Sequence, residues 1–541
     1  MKHIVSLLLF CVLCGALVAA DDQHESEHHE ELTTAQVGTI HFPVSCSPSA
    51  QKTFERGVAL LHSFWYEEAQ KAFAQAAQDD PQCAMAHWGS AMSLWHQLWD
   101  HPNAATIETG RSEVEKARAL HPQSQRERDY IDAIGQFYSK PKAGGHLERA
   151  TAYSHAMERL YRNYPDDREA AAFYALSLLA SEPEADASFA NRKQAAAVLE
   201  KLFVEIPDHP GVAHYLIHSY DKPQLAELGL PAARRYAQIA PASPHALHMP
   251  SHIFARLGLW QDDINSNLAS IAATRKTAAM HMGGAGHQFH AMDFLFYAYL
   301  QSGHEAEAKK LIEEVRAMPP MEDMYGMGFD PRISALATLP ARYAIELRHW
   351  SDAAALDPVP DADLLDDSGT YWARGIGAAR SGNQMQARKE LAQLESIHQK
   401  LLQRKKPSTA ADVERERNEV EAWIAHANGR NDEALKALRG IAEKEESIGE
   451  EPNGGIPARE MLGDMLEDMK LPVRALAEYE IDLKFNPNRF NGLFGAAQAA
   501  EAAGKSKQAQ SYYSQLLKIC DGSNSSRPEL NRAKDLVARN Q

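Results

Sequence analysis

The stretch "GVALLHSFWYEEAQKAFAQAAQDDP", residues 57–81, decides the fold. Small and aromatic residues recur in it at fixed spacings before a closing proline: Gly57, Tyr66, Ala69, Phe73, Ala77 and Pro81. Small residues let two antiparallel helices approach, aromatic residues fill the space between them, and proline ends the second helix. The stretch therefore predicts a hairpin of two helices.

The same spacing recurs along the chain, most clearly in residues 456–488 and 489–519 and in weaker form in 373–394. Between these units the sequence is rich in Ala, Leu, Glu, Lys and Gln and has no convincing alternating strand. A repeated helical hairpin with this spacing is typical of tetratricopeptide repeats. We predict an all-α fold, a right-handed superhelical tetratricopeptide solenoid of about ten helical hairpins.

Breaks in the pattern divide the predicted solenoid. We predict an N-terminal array over residues 46–320, which contains a histidine-rich groove, and a C-terminal array over 321–522. Residues 523–541 are predicted to form a tail or a capping helix.

The N-terminus, "MKHIVSLLLFCVLCGALVAA", has a basic residue, an apolar run and small residues before an acidic pair. We predict a signal peptide over 1–20 and a disordered acidic, histidine-containing leader over 21–45. The apolar run is shorter than a membrane-spanning helix needs, and no later segment is long and apolar enough. The protein is therefore expected to be exported, to the periplasm or beyond the cell, without a membrane span.

The chain carries a formal net charge of -17. Loss of the signal peptide, whose one charged side chain is Lys2, lowers this to about -18, which argues against a nucleic-acid surface. Two interpretations of Cys46 and Cys83 are open: they form a disulfide, or both are buried free thiols. If they form a disulfide, Cys520 is left without a partner.

Histidines occur at matching positions of two neighbouring repeats. "HPGVAHYLIHSYDKP" carries His214 and His218, and "PHALHMPSHIFARLG" carries His248 and His252, each 34 residues further on. That offset is the length of one repeat. When the turn glycine Gly258 is placed at position 15, both pairs fall on positions of the first helix that face the concave groove.

Two histidines four residues apart lie on one helical face, where both rings can bind one ion. His214, His218, His248 and His252 are therefore candidate ligands for zinc, copper or nickel, with Asp293 as a weaker candidate. In the alternative interpretation these histidines hydrogen-bond one another, the backbone or a bound peptide.

Further side chains are predicted to face the groove and to contact a partner: His245, Arg256, His290, Tyr297, Trp88, Trp95, Glu460 and Asp464. The tryptophans form an aromatic wall, which is more often core than a binding site. The two acidic residues either grip a basic peptide or keep the face solvated. The segment "HMGGAGHQFH" is predicted to be a loop that places a histidine over the groove.

The chain resembles a group of exported bacterial tetratricopeptide-repeat proteins of unknown biochemical role. The resemblance rests on "CAMAHWGSAMSLWH", "PHALHMPSHIFARLGLW", "PARYAIELRHW" and "IPAREMLGDML…PNRFNGLFGAAQAAEAAG", and it spans nearly all of residues 45–520. It implies a helical repeat fold and export, and it brings no catalytic residues.

We therefore expect a non-enzymatic solenoid that binds a protein or peptide in its groove, with a transition-metal site among the histidines. The alternative function is a metal-dependent enzyme or metal carrier that uses the same histidines.

Overall fold

The computed structural model describes residues 32–98, 101–139, 145–183, 186–284, 286–320, 330–449 and 455–539. Within these ranges the chain is helical and contains no strand. Helices α1 to α27 span, in order, Thr34–Val37, Pro48–His62, Tyr66–Asp79, Ala84–Ser93, Ala104–Ala119, Gln125–Tyr138, His146–Asn163, Arg168–Ala180, Ala190–Glu205, Pro210–Tyr220, Ala226–Ile239, Pro244–His248, Pro250–Arg256, Trp260–Ala279, His287–Gln301, Glu305–Ala317, Pro331–Glu346, Trp350–Ala354, Leu364–Arg380, Gln384–Gln403, Pro407–Ala427, Asn431–Ile448, Ala458–Asp468, Pro472–Phe485, Phe490–Ala502, Ser506–Ile519 and Pro528–Arg539.

The helices pair into successive antiparallel hairpins, α2 with α3, α4 with α5, and so on to α25 with α26. In the sixth hairpin the first helix consists of two pieces, α12 and α13, so that the described part of the chain holds twelve hairpins. The predicted all-α solenoid of stacked hairpins is confirmed, with two hairpins more than the rough count from sequence.

The small and aromatic residues of the repeat pack as the sequence pattern requires. The ring of Phe73 lies so close to Gly57 and Gly89 that a Cβ on either glycine would approach it to 2.8 and 2.3 Å. Tyr479 occupies the same position between Gly463 and Gly495, where the distances would be 2.7 and 2.4 Å. Any larger residue at these glycines would overpack the hairpin.

Pro250 divides the first helix of the sixth hairpin. The side chain of Ser243 caps its first piece, α12, by accepting a hydrogen bond from the backbone of Ala246. Proline has no N–H to continue the helical ladder, and α13 begins at Pro250. His245 and His248 therefore lie before the break, and His252 lies one turn after it.

The first helices of distant hairpins meet inside the stack. Helix α2 of the first hairpin packs against α10 of the fifth, and α15 packs against α25. The His62 side chain contacts the Tyr215 hydroxyl across the first of these contacts, at 2.8 Å. The inner face in these regions is therefore covered by protein.

Two predicted boundaries are wrong. Residues 32–45, predicted as part of a disordered leader, pack onto the first hairpins, and Val37, Ile40 and Phe42 are buried in the core. The division at 320/321 does not separate domains, because the described residues from Leu32 onward belong to one compact unit. The predicted capping helix is present as α27, which buries Leu530 and Ala533.

Residues 1–31 lie outside the described residues, and so does the predicted signal peptide. No helix in the described ranges has the length and apolar content that crossing a membrane requires. Cys46 and Cys83 form a disulfide, and Cys520 is a buried free thiol.

Candidate metal centres

Three histidines converge between the fifth and sixth hairpins. His214 and His218 lie one turn apart on α10, and their Nε2 atoms are 3.1 Å apart. His245 on α12 brings its Nε2 atom to 3.0 Å from that of His214. All three ligand atoms lie within 4.8 Å of one another. We call this group the first triad.

A second set of three histidines converges between the sixth and seventh hairpins. His248 on α12 and His252 on α13 place their Nε2 atoms 3.0 Å apart. His290 on α15 adds an Nε2 atom 3.3 Å from that of His252. These atoms also lie within 4.8 Å of one another, and His290 is exposed. We call this group the second triad.

The spacing of the nitrogens matches metal coordination. Zinc binds imidazole nitrogens at about 2.0–2.1 Å, so that two ligands at tetrahedral angles are about 3.3–3.4 Å apart. Two Nε2 separations in each triad run from 3.0 to 3.3 Å, and all three ligand atoms lie within 4.8 Å of one another. Each triad thus presents two pairs of nitrogens at nearly the edge length of a coordination tetrahedron.

The second triad is held by hydrogen bonds to the opposite ring nitrogens. His248 donates from Nδ1 to Oδ1 of Asn267 at 2.7 Å, and His252 donates from Nδ1 to Asp221 at 2.8 Å. The amide of Asn267 is oriented by its Nδ2, which donates to Asp263 at 2.6 Å. Oδ1 of Asn267 can only accept, which places the proton of neutral His248 on Nδ1.

In the first triad, a backbone carbonyl fixes the proton of one histidine. His214 donates from Nδ1 to the carbonyl oxygen of His62 at 2.6 Å. A carbonyl oxygen accepts and never donates, so the Nε2 atom of neutral His214 carries a lone pair. Metal-binding histidines commonly donate their other nitrogen to a carbonyl or carboxylate in this way.

These anchors leave lone pairs facing each other. In neutral His248 and His252 both protons are on Nδ1, and the two Nε2 lone pairs are 3.0 Å apart with no proton between them. Protonation of His248 would place a proton between these lone pairs, but it is unfavourable. Burial lowers the pKa of His248 well below its usual value, and neighbouring histidines lower it further. Burial also lowers the pKa of His214 to about 3. A metal cation satisfies all of these lone pairs together.

Aromatic rings surround both triads. Phe64 lies 4.4 Å from the ring of His214 and 5.5 Å from that of His245. Phe294 lies 4.5 Å from the ring of His252 and 5.3 Å from that of His290. The walls are apolar, and they strengthen any charge–dipole interaction made inside.

A third histidine group nearby differs in kind. Glu169 accepts from Nε2 of His62 at 2.8 Å and from Nε2 of His209 at 2.9 Å. Nδ1 of His209 accepts the backbone N–H of Val212, which leaves its proton on Nε2. The lone pairs and protons of this group are matched, and we assign it a structural role in joining the first, fourth and fifth hairpins.

The predicted ligand pairs converge, but as parts of two sites rather than one. His214 and His218 join His245, and His248 and His252 join His290. His245 and His290 were predicted to contact a partner; His245 is buried, His290 is exposed, and each lies in a triad. Asp293 belongs to neither triad and pairs instead with Arg342.

The other predicted groove residues are buried, and the prediction that they face an open groove is wrong. Trp88 packs against Tyr130, and Trp95 stacks on Phe137. Arg256 donates to Asp221 at 2.9 Å. The physical reason is that distant first helices pack together and cover the inner face.

The predicted groove residues nearer the C-terminus, Tyr297, Glu460 and Asp464, are also buried where distant first helices pack together. Tyr297 and Glu460 accept hydrogen bonds from the buried Arg489, each at 2.9 Å. Asp464 accepts from the hydroxyl of Tyr479 at 2.6 Å and from Arg348 at 2.9 Å. These acidic side chains serve internal partners instead of gripping a basic peptide.

The glycine-rich loop lies over the first hairpin. The indole of Trp65 donates to the carbonyl of Gly283 at 2.9 Å, and the Gly283 N–H donates to Glu68 at 2.7 Å. The loop leads into the buried His287, whose ring is 5.5 Å from that of His245. His287 therefore lies in the helix that follows the loop.

Sequence reasoning missed Asn267 as an anchor of the second triad. Asn267 lies on α14, the second helix of its hairpin, whereas the groove positions were sought on first helices. A polar residue amid the buried positions of α14 was the one available signal, and it fits many roles. The bond from His252 to Asp221 joins residues 31 positions apart in the chain, and no local spacing indicates it.

No protein-family model matches the chain, and the search of curated proteins finds no similar sequence. Among solved structures, the human IFIT1 dimer with PPP-AAAA is 13% identical, covers 86% of this chain and 89% of its own, and gives a TM-score of 0.36. The human IFIT1 dimer with m7Gppp-AAAA is also 13% identical, covers 85% and 95%, and gives 0.34. Similarity at this level carries nothing about ligands, so the expected lack of nucleic-acid binding stays a prediction.

Proposed function

We propose that this protein binds two transition-metal ions, one in each histidine triad. The observation that carries the proposal is the pair of Nε2 lone pairs of His248 and His252, which face each other at 3.0 Å while both Nδ1 atoms donate elsewhere. Imidazole ligands suit zinc, copper and nickel. The solenoid serves as a rigid frame, because each triad joins helices of two neighbouring hairpins.

The geometry favours this function over recognition of a peptide at the same residues. A peptide needs exposed side chains, whereas His214, His245, His248 and His252 are between 0% and 6% exposed. A single ion needs only a path to the ring nitrogens, and the exposed His290 provides one at the second triad.

We further propose that the protein is exported to an oxidising compartment. The apolar run after Lys2 supports a signal peptide, and the Cys46–Cys83 disulfide supports an oxidising environment. Expression with and without residues 1–20, followed by fractionation, tests this: the full chain is expected outside the cytoplasm and the shortened chain within it.

The metal proposal is tested on the full chain without a histidine tag, loaded with zinc or copper and then dialysed. We expect two metal ions per chain by elemental analysis, and a rise in melting temperature. A ligand held at a thousandfold above its Kd stabilises the folded state by about 4 kcal/mol.

Paired variants separate the two centres. His214→Ala with His218→Ala, or His248→Ala with His252→Ala, is expected to leave one ion per chain. His155→Ala with His349→Ala removes two exposed histidines and is the matched control, for which two ions are expected. Protein that binds no metal, or that loses no metal in either triad variant, contradicts the proposal.

A further inference from the structure

The two triads adjoin each other. His245 of the first and His248 of the second lie one turn apart on α12, and their ring centroids are 6.1 Å apart. On the other side, His218 of the first faces His252 of the second at 6.3 Å. Two ions bound here would therefore be neighbours, with these four rings along the boundary between the two triads.

The charge of the ligands limits which ions can be neighbours here. All six ligands are imidazoles, and an imidazole that binds a metal ion through its lone pair is neutral. The carboxylate that hydrogen-bonds His252 is Asp221, which is already paired with Arg256. Two divalent ions would bring four uncompensated positive charges into an apolar interior, and two monovalent ions would bring half of that.

Copper is the one first-row metal of this set that is stable as a monovalent ion. It also heads the affinity order of the divalent metals for nitrogen ligands. Three imidazoles leave each ion an open coordination position, and the rings of Phe64 and Phe294 make the surroundings apolar. An uncharged diatomic molecule enters such a space at less cost than a hydrated anion.

We infer that the two triads together form a copper pair that binds dioxygen. This inference rests on the proposed metal-binding function and names the ligand of the same site. Each of two Cu(I) ions gives one electron to dioxygen, which forms a peroxide bridge between two Cu(II) ions. No proton and no further oxidant or reductant takes part in this step.

The test uses the full chain loaded with two equivalents of Cu(I) without oxygen and then exposed to a measured amount of dioxygen. We expect uptake of one dioxygen for two copper ions. The product is expected to give no electron-paramagnetic-resonance signal, because the unpaired electrons of two bridged Cu(II) ions pair with each other.

The variant His248→Ala with His252→Ala is the control, since it retains only the first triad. It is expected to bind one copper ion and, after chemical oxidation, to give one full spin per chain. Isolated centres in the unaltered protein would give two spins per chain, which overturns the inference while two bound ions still support metal binding. Zinc that displaces both Cu(I) ions also overturns it, and failure to bind either metal overturns the proposed function itself.

Discussion

Arg489 and the two triads are polar groups buried in the same stack of hairpins. They differ in whether the chain supplies a partner of opposite charge. Arg489 donates to Glu460, to Tyr297 and to Glu346, each at 2.9 Å. Its guanidinium is opposed by two carboxylates supplied by the chain. The triads instead direct ring nitrogens at each other and supply no cation.

Buried polar groups that satisfy one another have a structural role, whereas buried polar groups that remain unsatisfied indicate a binding site. A buried polar network that pairs its own donors and acceptors holds helices in place, as Arg489 does for α15, α17, α23 and α25. The contacting Nε2 lone pairs of His248 and His252 instead need a further group to satisfy them, and a metal ion is the one we propose. The His62–Glu169–His209 group shows that histidine content alone is no criterion, because its rings are matched to Glu169 and Tyr215.

Removal of the Arg489 side chain is expected to have the largest effect on stability. Arg489→Met leaves Glu346 and Glu460 buried without their partner, and the free energy of unfolding is expected to fall by about 3–5 kcal/mol. Chemical denaturation measures this, with the exposed Arg474→Met as the matched control. Metal content is expected to stay at two ions per folded chain. Loss of metal with unchanged stability would reverse the roles of the two regions.

A smaller effect distinguishes the triads from each other. Asn267→Leu removes the acceptor for Nδ1 of His248, and loss of such an anchor typically costs 10–100-fold in metal affinity. Competition with a chelator measures this in the background of His214→Ala with His218→Ala, where only the second triad remains.

The first triad is anchored by a backbone carbonyl and serves as the internal contrast. In the background of His248→Ala with His252→Ala, Asn267→Leu is expected to leave the affinity unchanged. Asn265→Leu, an exposed position on the same helix, is expected to change neither centre. Equal weakening of both triads would show that Asn267 acts through stability rather than through His248.

The hairpins and the paired histidines were predictable because both depend on local spacing. The glycine and aromatic positions around Phe73 recur around Tyr479, and the 34-residue offset places His214 and His248 at equivalent positions. These features need only the geometry of one hairpin and its neighbour.

The burial of the groove was not predictable in this way. It depends on contacts between helices far apart in the chain, such as that of His62 with Tyr215, 153 residues away. The curvature that brings such helices together sums small rotations over many hairpins, and no local motif encodes it.

The smallest expected effect concerns the carboxylate that sequence suggested as a ligand. Asp293 pairs with Arg342 near the surface, and such pairs contribute about 1 kcal/mol or less. Asp293→Asn is therefore expected to change stability little and metal affinity not at all.

Asp221→Asn is the matched comparison, because Asp221 accepts from Nδ1 of His252, whereas Asp293 is paired with Arg342. Asp221→Asn is expected to weaken the second triad 10–100-fold in the chelator competition. If the two variants weaken binding equally, the ion is held by carboxylate as well as imidazole. An anionic ligand would then offset the charge of a divalent ion, and the neutral ligands would no longer favour a pair of Cu(I) ions.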